Sequence, residues 1–245
     1  MVKTVSKTKG GFNLDTEEMA SAGLHFGHKT SKTHPKMAPY LFGVRNTIYI
    51  IDLEKTKEKF EEALKFIKEI VEEDKVLLLV GTKIQAKELV KNMAIECGLP
   101  YVYNRWLGGT FSNFGIIQKR VAYFKDLEVK KAAGELEKYT KKERLGLDKE
   151  LKDLEIKFGG IKNLGKLPDA IFVCDMIEDE LAIKEARMKG IKVIAICHTN
   201  TDPTLADYPI PASDDSVSSV KYILDKIKEV IIKNKSEALR NSVSK

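Results

Sequence analysis

The apolar positions along this chain follow two alternating rhythms. Uninterrupted runs at Val76 to Val80, Tyr101 to Tyr103, Ala170 to Cys174 and Val193 to Cys197 predict strands buried on both faces, because a strand with one wet face would alternate. Between them lie helical stripes. Phe60, Ala63, Leu64, Ile67, Ile70 and Val71 share one face of a helix that Asp52 is placed to cap. Ala86, Val90, Met93, Ala94 and Cys97 mark a second helix, closed by Gly98 and Pro100. A third runs from Asp179 to Lys189 and stops at Gly190. A fourth buries Val220, Ile223, Leu224, Ile227 and Val230, with Ser216 or the aspartates before it as caps. Thr47 to Ile51 reads as an edge strand or a hairpin arm. Short buried strands alternating with helices predict an α/β layer fold with a parallel sheet.

The region 114–158 breaks this rhythm. Ile117, Val121, Phe124 and Leu127 line one helix, and Leu147, Leu151, Leu154 and Phe158 line another at alternating four- and three-residue steps, which is a heptad seam. Most other positions are Lys, Glu or Asp, so the two helices have only a narrow stripe to bury. The expected solution is an antiparallel coiled-coil hairpin protruding from the body, with its bend between Lys130 and Arg144. The predicted organisation is a globular body from 1–113 and 159–235, a hairpin from 114–158 and a flexible basic tail from 236–245.

Composition then narrows the class. The 245 residues are 32% charged, with 42 Lys and Arg against 36 Asp and Glu, a formal charge of +6. That balance permits nucleic-acid binding where the cations cluster. They do cluster: Lys29 to Tyr49 holds Lys29, Lys32, Lys36 and Arg45 and no acid, and the last thirty residues carry seven cations against three acids. The three cysteines lack metal spacing and, at Cys174 and Cys197, lie in apolar runs, so they read as buried hydrophobes in a reducing compartment. No apolar run reaches the roughly 18 residues of a membrane span, and no signal-type segment opens the chain. A cytoplasmic protein is expected.

The richest loop is Arg105-Trp106-Leu107-Gly108-Gly109-Thr110-Phe111-Ser112-Asn113-Phe114-Gly115. A cation, the sole tryptophan, paired glycines and small polar side chains suit close approach to an extended polyanion, with the indole as a stacking ring. The expected strand ends carry further chemistry: Gly81-Thr82-Lys83, Asn104-Arg105, Asp175 and His198-Thr199-Asn200. Read as an enzyme, this edge offers cations for phosphate and Asp175 and His198 for proton transfer. It lacks G-x-G-x-x-G, G-x-x-x-x-G-K-[ST] and G-x-S-x-G. No catalytic residue and no cofactor is assigned. His25 and His28, with His198 and Asp202, Asp214 or Asp215, would offer a divalent ion a place. Two histidines three apart are a weak metal signature, so no metal site is assigned either.

Several ordered motifs carry a resemblance: Gly23-Leu24-His25-Phe26-Gly27-His28, Pro35-Lys36-Met37 with Tyr40, Arg45-Asn46, Ile50-Ile51-Asp52-Leu53, Val80-Gly81-Thr82-Lys83, Arg105-Trp106-Leu107-Gly108-Gly109, Phe158-Gly159-Gly160-Ile161, Leu167-Pro168-Asp169 and Asp202-Pro203. From about Met19 to Ile231 the chain resembles the ribosomal protein two family of the bacterial small subunit. The resemblance implies a flavodoxin-like parallel sheet flanked by helices, with a long coiled-coil hairpin and a structural role without catalysis. It implies a place on the solvent side of the small subunit between head and body, against small-subunit ribosomal RNA. It also implies contact with neighbouring ribosomal proteins, including the large messenger-binding one in many bacteria. On this reading Lys29, Lys32, Lys36, Arg45, Lys83, Arg105 and Arg120 meet phosphates, while Trp106, Gly108, Gly109 and Asn113 lie close to RNA backbone or stack. The chain departs from the family at His198-Thr199-Asn200, where an aspartate is usual in place of the histidine, and at Ser213-Asp214-Asp215, where Asn-Asp-Asp is usual.

Overall fold

The computed structural model describes the backbone of residues 12–243 and the side chains as far as residue 236. Five parallel strands form the main sheet: β4 (Leu77–Val80), β5 (Tyr101–Val102), β6 (Ala170–Val173), β7 (Lys192–Cys197) and β8 (Tyr208–Pro211), in the spatial order β5-β4-β6-β7-β8. Numbered by appearance that order is 2-1-3-4-5, the arrangement of a flavodoxin-like sheet. Each strand sends alternate side chains to opposite faces. Leu77, Leu79, Ala170, Phe172, Ile194 and Ile196 pack under α2 (Leu53–Glu72), α3 (Ile84–Cys97) and α7 (Val217–Val243). Leu78, Val80, Ile171, Val173, Val193 and Ala195 pack on the other face with α4 (Phe114–Ala132), α5 (Lys141–Phe158) and α6 (Glu180–Met188). Burial on both faces explains why these strands read as continuous apolar runs.

Asp52 caps α2 as expected, its side chain accepting from the Glu54 N–H at 3.1 Å. Gly98 ends α3 with φ +62°, a left-handed turn that glycine adopts without strain. Strand β8 is not among the expected strands, and it carries Pro209 and Pro211, which weaken a strand pattern. It lies at the sheet edge, where a missing N–H is tolerated.

The segment Thr47 to Ile51 is a hairpin arm, one of the two expected alternatives, and is not an edge strand. Its core, β3 (Ile48–Ile51), is the centre of a second, antiparallel sheet between β1 (Phe26–Lys29) and β2 (Leu41–Arg45). Asn46 and Thr47, at φ 49° and 66°, make the two-residue turn from β2 into β3. This small sheet is pinned to the end of β7: the His28 N–H donates to Thr199 Oγ1 at 2.9 Å and the His34 N–H to the Thr199 carbonyl at 2.8 Å. A short helix, α1 (Thr16–Ala22), precedes it and packs on α2 and α7.

Helices α4 and α5 pack on each other, with Ile117, Val121, Phe124, Leu127, Leu154 and Phe158 buried and Leu147 and Leu151 half-buried. Lys131 Nζ reaches Asp148 Oδ1 at 2.6 Å across the pair. From Glu128 to Glu150 no side chain is buried. Helix α7 continues to Val243, so the segment 236–245 begins as helix; residues 244–245 of the expected tail lie outside the described residues, as does the chain before Phe12.

Candidate nucleic-acid interface

The carboxyl ends of the parallel strands gather their polar residues into one cluster. Lys83 follows β4, and its ammonium lies 3.0 Å from Asp175 Oδ2, 2.8 Å from Asp214 Oδ1 and 2.8 Å from Asp215 Oδ1. Burial opposes the lysine charge, but the bonds to Asp214 and Asp215 more than offset it, so Lys83 stays cationic. Burial, and then the neighbouring Asp175 charge, raise the Asp214 carboxyl to about 7 despite Lys83. This arrangement corrects the assignment of Lys83 to phosphate contact: its charge is spent inside the protein.

Beside it, the rings of His28 and His198 stack with centroids 3.9 Å apart. His28 Nδ1 and His198 Nε2 face Asp215 Oδ2 at 3.5 and 3.8 Å. Burial and then the His28 charge pull His198 down to about 3, and burial lowers His28, so both imidazoles are neutral near pH 7 and these contacts are not ion pairs. One ligand atom each from His28, His198 and Asp215 lies within 4.8 Å of the others, a set able to hold a metal ion. Asp214, which sequence reading grouped with the histidines, is turned to Lys83 instead. The Thr199 N–H donates to His198 Nδ1 at 2.8 Å. That bond puts the neutral ring's proton on Nε2, and ligation there requires the other tautomer.

Asp179, fully buried, accepts from Thr82 Oγ1 at 2.9 Å and from the Thr82 N–H at 3.3 Å. Burial raises its carboxyl to about 6, with the Thr82 bonds pulling the other way. A carboxyl raised in the folded state holds more protons folded than unfolded, so its contribution falls as pH rises from about 4 to about 6. Asp179→Asn is expected to flatten that part of the stability profile by ~2 kcal/mol. Urea titrations at pH 4.5 and 7.5 measure it, and equal profiles for the two proteins would remove Asp179 as the source.

The loop 105–113 turns its interior face to the body. Trp106 is only 5% exposed and packs edge-on against Phe111 with ring centroids 4.8 Å apart, so its indole is a core group and not a stacking platform. The apolar surface of the indole gains from burial, while its Nε1–H is buried with no hydrogen-bond partner among the described residues. Gly109, at φ +93°, makes the turn between them. Its N–H donates to Glu185 Oε1 at 2.7 Å, and the Phe111 and Ser112 N–H groups donate to Oε2 at 2.8 and 3.2 Å. Sequence reading missed Glu185. The one signal was its place among Ala182, Ile183 and Ala186 on the apolar stripe of α6, where a glutamate needs partners.

The remaining nominated residues lie outside. Lys29, Lys32, Arg45, Arg105, Gly108, Asn113 and Arg120 are exposed. Lys29 and Arg45 both pair with Ile48 across the small sheet and so share a face. Lys36 is engaged by Asp202 at 2.6 Å and Thr204 at 3.0 Å, and that lysine holds the Asp202 carboxyl down at about 2. Phe42, 80% exposed on β2, is an aromatic surface that sequence reading passed over. No helix among the described residues is long and apolar enough to cross a membrane.

The strand-end lysine is held by three carboxylates, the loop amides are spent on Glu185, and Lys29, Lys32, Arg45, Arg105 and Arg120 are displayed outward on an α/β body. A family model described as ribosomal protein S2 matches residues 19–234. The small ribosomal subunit protein uS2 of Acidobacterium capsulatum is 43% identical over 220 residues, covering 90% of this chain and 73% of its own length. That of Koribacter versatilis is 43% identical over 219 residues, covering 89% and 73%. The chain belongs to the ribosomal protein S2 family, whose members are structural components of the small ribosomal subunit and not enzymes.

Proposed function

We propose that the chain binds small-subunit ribosomal RNA on the solvent side between head and body, working in the cytoplasm as part of the ribosome. The observation that carries this reading is the acid-free stretch Lys29 to Tyr49. Its Lys29, Lys32 and Arg45 are exposed and have no ion-pair partner among the described residues. Cations without internal partners are free to replace counterions on phosphate. Arg105, Arg120, Gly108 and Asn113 extend the contact surface, while Lys36 contributes only where Asp202 releases it. The helices α4 and α5 serve as a projecting coiled-coil arm, since nothing beyond their base is buried. The arm and the small sheet contact neighbouring ribosomal proteins, the large messenger-binding protein among them.

Sedimentation of cell lysate on sucrose gradients at moderate and high salt tests the assembly. The protein travels with the small subunit and survives the salt wash; a protein that stays at the top in both overturns the reading. Binding to naked ribosomal RNA tests the contacts. The triple change Lys29→Glu, Lys32→Glu and Arg45→Glu is expected to flatten the log-log salt slope by roughly two to three units. An unchanged slope takes these three off the interface.

A further inference from the structure

Glu185 is an unusual glutamate. Its residue is 4% exposed, and among the described residues no cation pairs with it. Three main-chain N–H groups of one loop converge on its two oxygens instead: Gly109, Phe111 and Ser112, at 2.7, 2.8 and 3.2 Å. Converging backbone amides form an anion nest. Here the anion is the protein's own.

The loop is thereby committed inward. Its amides cannot also cradle a phosphate, and Trp106 and Phe111 anchor it in the core on either side of the Gly109 turn. What remains on the outside is side chains: Arg105, Ser112 and Asn113 are exposed. An arginine on a fixed backbone loses less freedom when it meets a phosphate than one on a mobile loop.

We propose that Glu185 is a positioning residue for RNA contact, setting the loop that presents Arg105 and Asn113 without touching RNA itself. The proposal rests on the RNA-binding reading above. Its prediction is coupling: Glu185 and Arg105 act through one another although their roles differ.

The test is a cycle of Glu185→Gln and Arg105→Ala in the full chain, measured against naked small-subunit ribosomal RNA over a potassium chloride series. In the wild-type background, Arg105→Ala weakens binding and flattens the log-log salt slope by about one unit. In the Glu185→Gln background the same change has no further effect. Additive losses, or no effect of Arg105→Ala in the wild type, overturn the proposal while leaving RNA binding itself intact. Wild-type protein without salt-dependent RNA binding sinks the RNA reading and the proposal with it. Amide hydrogen exchange on the wild type gives a second readout that needs no variant to fold. The Gly109, Phe111 and Ser112 amides are expected to be protected as well as those of β6, and fast exchange overturns the nest.

Discussion

Lys83→Met is expected to be about 3–5 kcal/mol less stable than the wild type at pH 8. The side chain of Lys83 is 18% exposed, and the Asp175 and Asp214 side chains it neutralises are 6% and 4% exposed. Removing the ammonium leaves Asp175 and Asp214 buried without their cation, so that ionising both, or holding a proton on Asp214 at pH 8, costs more than the lost attraction alone. Asp214 already sits at about 7 because burial and Asp175 outweigh Lys83, and without the lysine it rises further. A carboxyl raised on folding stabilises the folded state below its unfolded value near 4 and loses that contribution as pH rises through the folded value. The variant therefore recovers part of its stability on acidification, and more steeply than the wild type does. Guanidinium titrations at pH 8 and pH 5 measure both effects. A loss under 1 kcal/mol at pH 8 would mean that the cluster relaxes or hydrates without its lysine.

Phe124→Ala should cost about 3–5 kcal/mol, whereas Leu145→Ala on the same pair of helices should stay within about 0.5 kcal/mol. Phe124 is fully buried in the cluster that includes Val121, Leu154, Phe158 and Ile161, and Lys162 lies 5.1 Å above its ring. Lys162 is also paired with Glu128. Truncation leaves a ring-sized cavity among side chains fixed by both helices and the turn at Gly159–Ile161. Leu145 is 73% exposed and lies in the stretch with no buried side chain. Thermal and chemical unfolding of the two variants separates the buried base of α4 and α5 from their outer part, where no side chain is buried. Comparable losses for both would mean that α4 and α5 are clamped together along their whole length.

These two sites were legible to different degrees. Phe124 falls on an apolar stripe with Ile117, Val121 and Leu127, and spacing along a helix predicts which face is buried. The Lys83 cluster has no such signature. Its members are 92, 131 and 132 positions away from the lysine in Asp175, Asp214 and Asp215, and Lys83 reads equally well as a surface cation. Trp106 misled for a related reason. Glycines and polar residues surround it as they surround an exposed stacking ring, and only its contact with Phe111 decides that it turns inward.

The sequence alone determined the parallel α/β core, the caps at Asp52 and Gly98, the two helical stripes of 114–158 and, through its ordered motifs, the family. Each of these is written in residues near one another, where periodicity and local backbone chemistry act. Only the tertiary structure decided that β3 is the centre of a second sheet, that Lys83 and Lys36 are already paired, that the loop amides serve Glu185, and that Lys29, Arg45 and Arg105 have no ion-pair partner among the described residues. Charge neutralisation depends on which strand ends meet in space. That is set by the order β5-β4-β6-β7-β8 and by the docking of the small sheet on Thr199, neither of which any single stretch of chain encodes.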